Sequence, residues 1–148
     1  ANFKFLILGV GNLESQLRNI AKKSGVGDRV KFLGFVQHQE TPKYLKAADI
    51  FVRPSLSEGM GNSFIEAMAA GLPVIATPVG GIVDFLVDGE PGYFCQPENI
   101  ESITTAINRS ISDLHKKEVV ANAKKMVIEK YDWRAIAMQM KQIFDRLS

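Results

Sequence analysis

The chain has 148 residues, 46% of them hydrophobic and 23% charged, with a formal net charge of +2. That suits one compact domain over 1–148 with ample material for a core, and so small a charge leaves no footprint for nucleic acid. The single cysteine, Cys95, excludes an internal disulfide framework and fits a reducing, cytoplasmic setting, and no apolar run approaches the ~18 residues of a transmembrane span.

Short apolar runs alternate with longer amphipathic ones. Phe3–Val10 reads as a strand buried on both faces and not as a signal peptide, because glycine turn chemistry follows it. Leu13–Lys23 places Leu13, Leu17, Ile20 and Ala21 on one side of a helix. Val30–Phe35 is a second strand, and Thr41–Ala48 a short helix with Pro42 in its first turn. Ile50–Arg53 is a third strand, stopped by Pro54. Ser63–Ala70 is a helix ended by Gly71 as C-cap. Pro73–Ala76 is a fourth strand, Ile82–Val87 a short helix and Gly92–Cys95 a fifth strand. Three helices follow, over Ile100–Leu114, Lys116–Tyr131 and Trp133–Leu147. Continuous apolar strands alternating with helices predict an α/β fold: a doubly wound, Rossmann-like parallel sheet of about five strands with helices on both faces. Such sheets bind ligands beyond the carboxyl ends of their strands.

The loop after the third strand, Pro54 to Ser63, is the informative one. Gly59 and Gly61 allow a tight turn and a close approach of backbone to a ligand. The helix that follows directs free amides and a positive dipole end outward, a setting suited to phosphate. Ser63 and Glu66 also fit a capping box, serine as N-cap and glutamate reaching back from the first turn. Glu58 lies outside any helix pattern, where a carboxylate either faces a ligand or is solvated. Arg53 ends an apolar strand beside this loop; it pairs with Glu58 or a phosphate, or snorkels to water, and the last reading is preferred.

Other candidates carry less. Gly9-Val10-Gly11 places Glu14 where a dinucleotide fingerprint needs its third glycine, so a plain turn is expected and a dehydrogenase-like domain disfavoured. Gly80-Gly81 is either a tight turn or a close approach to a ligand, with Asp84 near a helix start. His38 and His115 lack metal or triad spacing. Trp133 reads as a core anchor behind a cap at Asp132, and Cys95 as buried and inert.

The context SEGMGNSFIEAMAAGLPVIATPVGG, with Glu58 and Glu66 separated by seven residues, resembles the signature of the family-4, GT-B-fold retaining glycosyltransferases. With LILGVG, VKFLGFV, ADIFVRPS, AAGLPVIAT, VGG and YDW in order, the resemblance runs from Phe3 to about Trp133. It implies that Glu58 holds the hexose hydroxyls of a nucleotide-diphospho-sugar, as the catalytic glutamate, and that Glu66 holds the ribose. It also implies that the backbone of Gly59, Met60, Gly61, Asn62 and Ser63 faces sugar and phosphates, with Val36 and Gln37 beside the nucleobase. Gly80 and Gly81 then belong to the donor site. The implied reaction is hexosyl transfer with retention of anomeric configuration, with no metal or other cofactor, the donor phosphate helping to take the acceptor proton.

The resemblance also implies a sugar or lipid-linked acceptor bound by an N-terminal domain that this sequence does not contain. An initial strand and helix with a phosphate-clamping arginine and lysine are likewise not found before Phe3. The isolated chain is therefore expected to transfer no sugar, and the enzyme to be cytoplasmic or peripheral at the membrane's cytoplasmic face. The two exposed strand edges, Phe3–Val10 and Ile50–Arg53, are expected to close on each other into a five-stranded sheet, leaving an apolar patch for self-association. The alternative is a non-catalytic nucleotide- or phosphate-binding module, against which Glu58 speaks: a carboxylate adds nothing beside a bare pyrophosphate.

Overall fold

A computed structural model describes residues 3–147. The backbone divides into two compact units, Ala1–Thr41 and Pro42–Ser148.

In the first unit, strand β1 (Phe5–Leu8) pairs in parallel with β2 (Val30–Gly34), joined by helix α1 (Glu14–Lys23) and a 3-10 turn at Gly27–Arg29. Phe5 stands opposite Val30 and Ile7 opposite Phe32, after which the register slips and Leu8 faces Gly34. The Gly9 N–H closes the turn onto the Gly34 carbonyl at 2.8 Å, the plain strand-to-helix turn expected. Burial of this strand on both faces is not found: Phe5 is 45% and Leu8 37% exposed. Among the described residues β1 has a ladder partner on one side only. On α1 only Ala21 is buried; Leu17 and Ile20 stay exposed, and Leu13 precedes the helix as its N-cap residue.

The second unit carries α2 (Thr41–Ala47, beginning at the boundary), β3 (Phe51–Arg53), α3 (Asn62–Ala69), β4 (Val74–Ala76), a 3-10 helix at Gly80–Asp84 and β5 (Tyr93–Phe94). Helices α4 (Ile100–Ser112), α5 (Lys116–Tyr131) and α6 (Trp133–Leu147) complete it. The strands form a parallel sheet in the order β3-β4-β5, with Arg53 opposite Ala76 and Ile75 opposite Tyr93. Central β4 is buried throughout. Its alternation sends Val74 and Ala76 into a cluster with Phe64, Met68, Ile82, Phe85 and Val127. Ile75 points the other way, into a cluster with Tyr93, Cys95, Ala106 and Val119. Phe64 anchors α3, meeting Phe51 edge-on with ring centroids 5.6 Å apart.

Helix ends follow residue chemistry. Asn99 caps α4 by accepting from the Ser102 N–H, and Asp132 caps α6 by accepting from the N–H groups of Arg134 and Ala135. Cys95 is buried as expected, its thiol pushed up by desolvation and donating toward the Ala76 carbonyl at 3.4 Å.

Three expectations need correction. No ladder joins β1 to β3 among the described residues; the strands form sheets of two and three, not one of five. Closing the two edges would shorten the crossover between Phe35 and Ile50, but loop length enters stability only logarithmically, too weak a term to rebuild a ladder. Trp133 is 81% exposed: its place behind Asp132 is fixed by the cap, and its ring anchors no core. The helix expected over Ile82–Val87 is the 3-10 helix Gly80–Asp84, so Asp84 closes it and cannot complement a dipole at its start.

Candidate active site: the loop between β3 and α3

Parallel strands β3 and β4 end side by side at Arg53 and Ala76, and the segments that leave them pack on each other. The buried Thr77 hydroxyl donates to the Ser55 carbonyl, tying the exit of β4 to the start of the loop. Ser55 in turn donates its hydroxyl to Glu58 Oε2 at 3.2 Å. The Gly81 N–H donates to the Gly59 carbonyl at 3.2 Å. At Gly80 φ is +54°, and a Cβ there would overlap the Glu58 carbonyl oxygen. Gly80-Gly81 is a tight turn, and it packs on the backbone of Glu58 and Gly59.

The loop enters α3 through Gly61, the N-cap, in a left-handed conformation with φ 68° and ψ 73°. A Cβ at Gly61 would lie 2.6 Å from the Phe64 ring and 3.1 Å from Glu58 Cγ, so this close turn admits only glycine. No side chain caps α3. Ser63, expected as the N-cap, is instead the second helical residue. A glycine at φ > 0 has displaced the capping box, and the Ser63 hydroxyl accepts from Arg53 Nη1 at 2.7 Å. Glu66 is consequently the fifth residue of α3, one position beyond the first turn, and half-buried. Standing three residues apart, Ser63 and Glu66 are neighbours on one helix face.

Arg53 does not simply snorkel. Its Nη2 lies 2.9 Å from Glu58 Oε2, and its guanidinium sits 5.6 Å from the centre of the Phe64 ring. The Glu58 side chain is only 15% exposed. Both of its close contacts, to Arg53 and Ser55, fall on Oε2; Oε1 takes part in neither. Met60 and Asn62 are exposed at the mouth of the loop, Gly59 likewise. Expected residues Glu58, Gly59, Met60, Gly61, Asn62, Ser63, Gly80 and Gly81 thus belong to one pair of packed loops, with Glu66 on the helix leaving them. Val36 and Gln37 belong to the first unit, directly after β2, where the Gln37 carbonyl accepts from the Glu40 N–H at 2.8 Å. Ser55 and Thr77 had no signal in local pattern beyond a polar residue following an apolar strand.

Chemically, the loop offers open amides at a helix N-terminus for an anion and one carboxylate held beside them for hydroxyl groups. Among the described residues no three His, Cys, Asp or Glu side chains gather as a metal-ligand set. No helix among them is long and apolar enough to cross a membrane.

Residues 1–126 match the family model of the group 1 glycosyl transferases. An uncharacterized glycosyltransferase of Methanocaldococcus jannaschii is 38% identical over 144 residues, which is 97% of this chain and 37% of the relative. Among solved structures, Anabaena HepE in complex with UDP and glucose is similar with a TM-score of 0.85 and 26% identity, over 97% of this chain and 40% of that one. Sucrose-phosphate synthase from Thermosynechococcus elongatus is similar with a TM-score of 0.84 and 31% identity, over 96% of this chain and 38% of that one. The chain thus spans less than half the length of these relatives. It belongs to the group 1 glycosyl transferases, and its α/β build is the Rossmann-like one of their GT-B members.

Proposed function

We propose that this chain binds a nucleotide-diphospho-sugar and presents it for transfer of a hexosyl unit with retention of configuration. The observation that carries the reading is the uncapped N-terminus of α3, entered through Gly61, with the Glu58 carboxylate held at its mouth. The amides from Met60 to Ser63 take the diphosphate. As the glycosidic bond breaks, charge grows on the departing phosphate oxygens, and amides already aimed at that position stabilise it without reorganising. Glu58 Oε1 accepts from the hexose hydroxyls and Glu66 from the ribose diol. Gly80 and Gly81 hold the Glu58 backbone against the sugar. The UDP and glucose bound by the similar HepE support a nucleotide-sugar donor here. The reaction in this reading needs no metal: the donor phosphate receives the acceptor proton, and a sugar or lipid-linked acceptor is bound by parts of the enzyme beyond these residues. The enzyme works in the cytoplasm or at the membrane's cytoplasmic face. Exposed Phe5, Leu17 and Ile20 in the first unit support self-association, which light scattering measures.

Calorimetric titration with UDP and UDP-glucose, extended to other nucleotide sugars, tests the reading. Glu66→Ala should weaken UDP binding by about 1–3 kcal/mol, the loss of a charged hydrogen bond. Glu58→Gln should spare UDP and weaken only the sugar contribution, and in the complete enzyme it should lower turnover more than nucleotide affinity. Equal losses of UDP affinity in the two variants would sink the assignment of roles. The isolated chain, offered donor and a panel of acceptors, should transfer nothing.

A further inference from the structure

We infer that Arg53 is a positioning residue for the sugar-facing carboxylate: its guanidinium fork fixes Glu58 relative to the phosphate end of α3. The inference rests on the donor-binding reading above. One arm, Nη2, reaches Glu58 Oε2 at 2.9 Å; the other, Nη1, reaches the Ser63 hydroxyl at 2.7 Å. A planar guanidinium holds two such partners at a set separation, which a lysine ammonium on a flexible stem does not. The Phe64 face beneath the guanidinium removes a further freedom, and Phe64 is itself fully buried in the core. Arg53 ends β3, whose register against β4 is set by the Arg53–Ala76 pairing. The sheet thereby dictates where Glu58 stands.

The consequence is selective. With Oε2 occupied by Arg53 and Ser55, the carboxylate presents Oε1 in one orientation. The diphosphate is taken by backbone amides, which do not need Arg53. Loss of Arg53 should therefore act on sugar recognition and leave the nucleotide term nearly intact.

The test measures UDP-glucose and UDP affinity of the chain by calorimetry in wild type, Arg53→Met, Arg53→Lys, Glu58→Gln and the Arg53→Met/Glu58→Gln double variant. Arg53→Met should reduce the preference for UDP-glucose over UDP about tenfold, the ~1.4 kcal/mol scale of one oriented charged contact. UDP affinity should change less than about twofold on the same scale. Arg53→Lys should restore part of the preference. In the Glu58→Gln background Arg53→Met should have no further effect on it. Two results overturn the inference. An equal loss in both backgrounds means that Arg53 acts without Glu58, and an equal loss for UDP and UDP-glucose means that it contacts the phosphates directly. If wild type binds no nucleotide or nucleotide sugar, the functional reading fails on its own. The positioning claim then stands on amide hydrogen exchange at Glu58 and Gly59, which must be faster in Arg53→Met with Met60–Ser63, β3 and β4 unchanged; unchanged exchange at Glu58 and Gly59 overturns it. Should Arg53→Met not fold, Arg53→Lys supplies the same comparisons.

Discussion

Two arginine–carboxylate pairs lie at the two edges of the three-stranded sheet, and they are built alike. At the β3 edge Arg53 pairs with Glu58 at 2.9 Å over the ring of Phe64; at the β5 edge Arg109 pairs with Asp88 at 2.7 Å over the ring of Tyr93. What surrounds them differs. Asp88 uses both oxygens within the fold, Oδ2 on Arg109 and Oδ1 on the Phe94 N–H, and Tyr93 adds a hydroxyl bond to Asp113 at 2.9 Å. At the other edge both contacts of Glu58 converge on one oxygen, beside a helix that no side chain caps. The same ion-pair motif engages both carboxylate oxygens at one edge and only one at the other. A lone arginine–carboxylate pair therefore says little about function; how the remaining oxygen and the adjacent amides are used says more.

The glycines at the two edges should separate them most sharply. Gly80→Ala should cost about 2–4 kcal/mol, since it forces a side chain to positive φ and drives it into the Glu58 backbone. Gly89→Ala also sits at positive φ, but its Cβ would meet only the tip of Arg109, at 2.9 Å. That side chain can swing away, so the cost should be about 1 kcal/mol. Urea unfolding of both variants reads the difference, and equal costs would remove the claim that Gly80 is held by the loop.

A pH effect should come from the β5 edge. Burial, then the hydrogen bond to Asp113, pushes the Tyr93 phenol up to about 12 from 10.0. A group whose folded pKa is raised gives stability that is complete below the unfolded value, and this is lost as pH rises from about 10 through about 12. Asp113 is held below the usual carboxylate range by the His115 backbone N–H and then the Tyr93 hydroxyl. Its contribution is present above about pH 4 and lost as pH falls through the lowered folded value. Tyr93→Phe should flatten the alkaline fall and weaken the acid one, followed by thermal unfolding across pH. Smallest of all, Arg109→Lys should change stability by less than about 1 kcal/mol, because the Arg109–Asp88 pair is close to half exposed.

The sequence was legible where one local rule governs the outcome. Unbroken apolar runs marked every strand to within a few residues, and Asp132 announced the start of α6. It misled where two rules compete. Ser63 and Glu66 satisfy the capping-box pattern, yet Gly61 at φ 68° takes the N-cap position and Arg53 claims the serine hydroxyl. Trp133 has the composition of a core residue but stands 81% exposed, since the cap before it sets its direction. Phe5 and Leu8 look fully buried by composition, but burial of a strand needs neighbours on both sides. Glu58 was recognisable as a candidate, whereas the oxygen it leaves available depends on Arg53 and Ser55, which only the fold brings to it.

Amide chemical-shift mapping of the isotope-labelled chain, titrated with UDP and then UDP-glucose, tests the central claim most directly. The account predicts that Gly59 to Ser63 move with both ligands, that Glu58, Gly80 and Gly81 move further when the glucose is present, and that the β5 edge around Asp88, Arg109 and Asp113 stays still. Shifts centred on the β5 edge, or a silent Gly59–Ser63 loop in the presence of bound nucleotide, would contradict it.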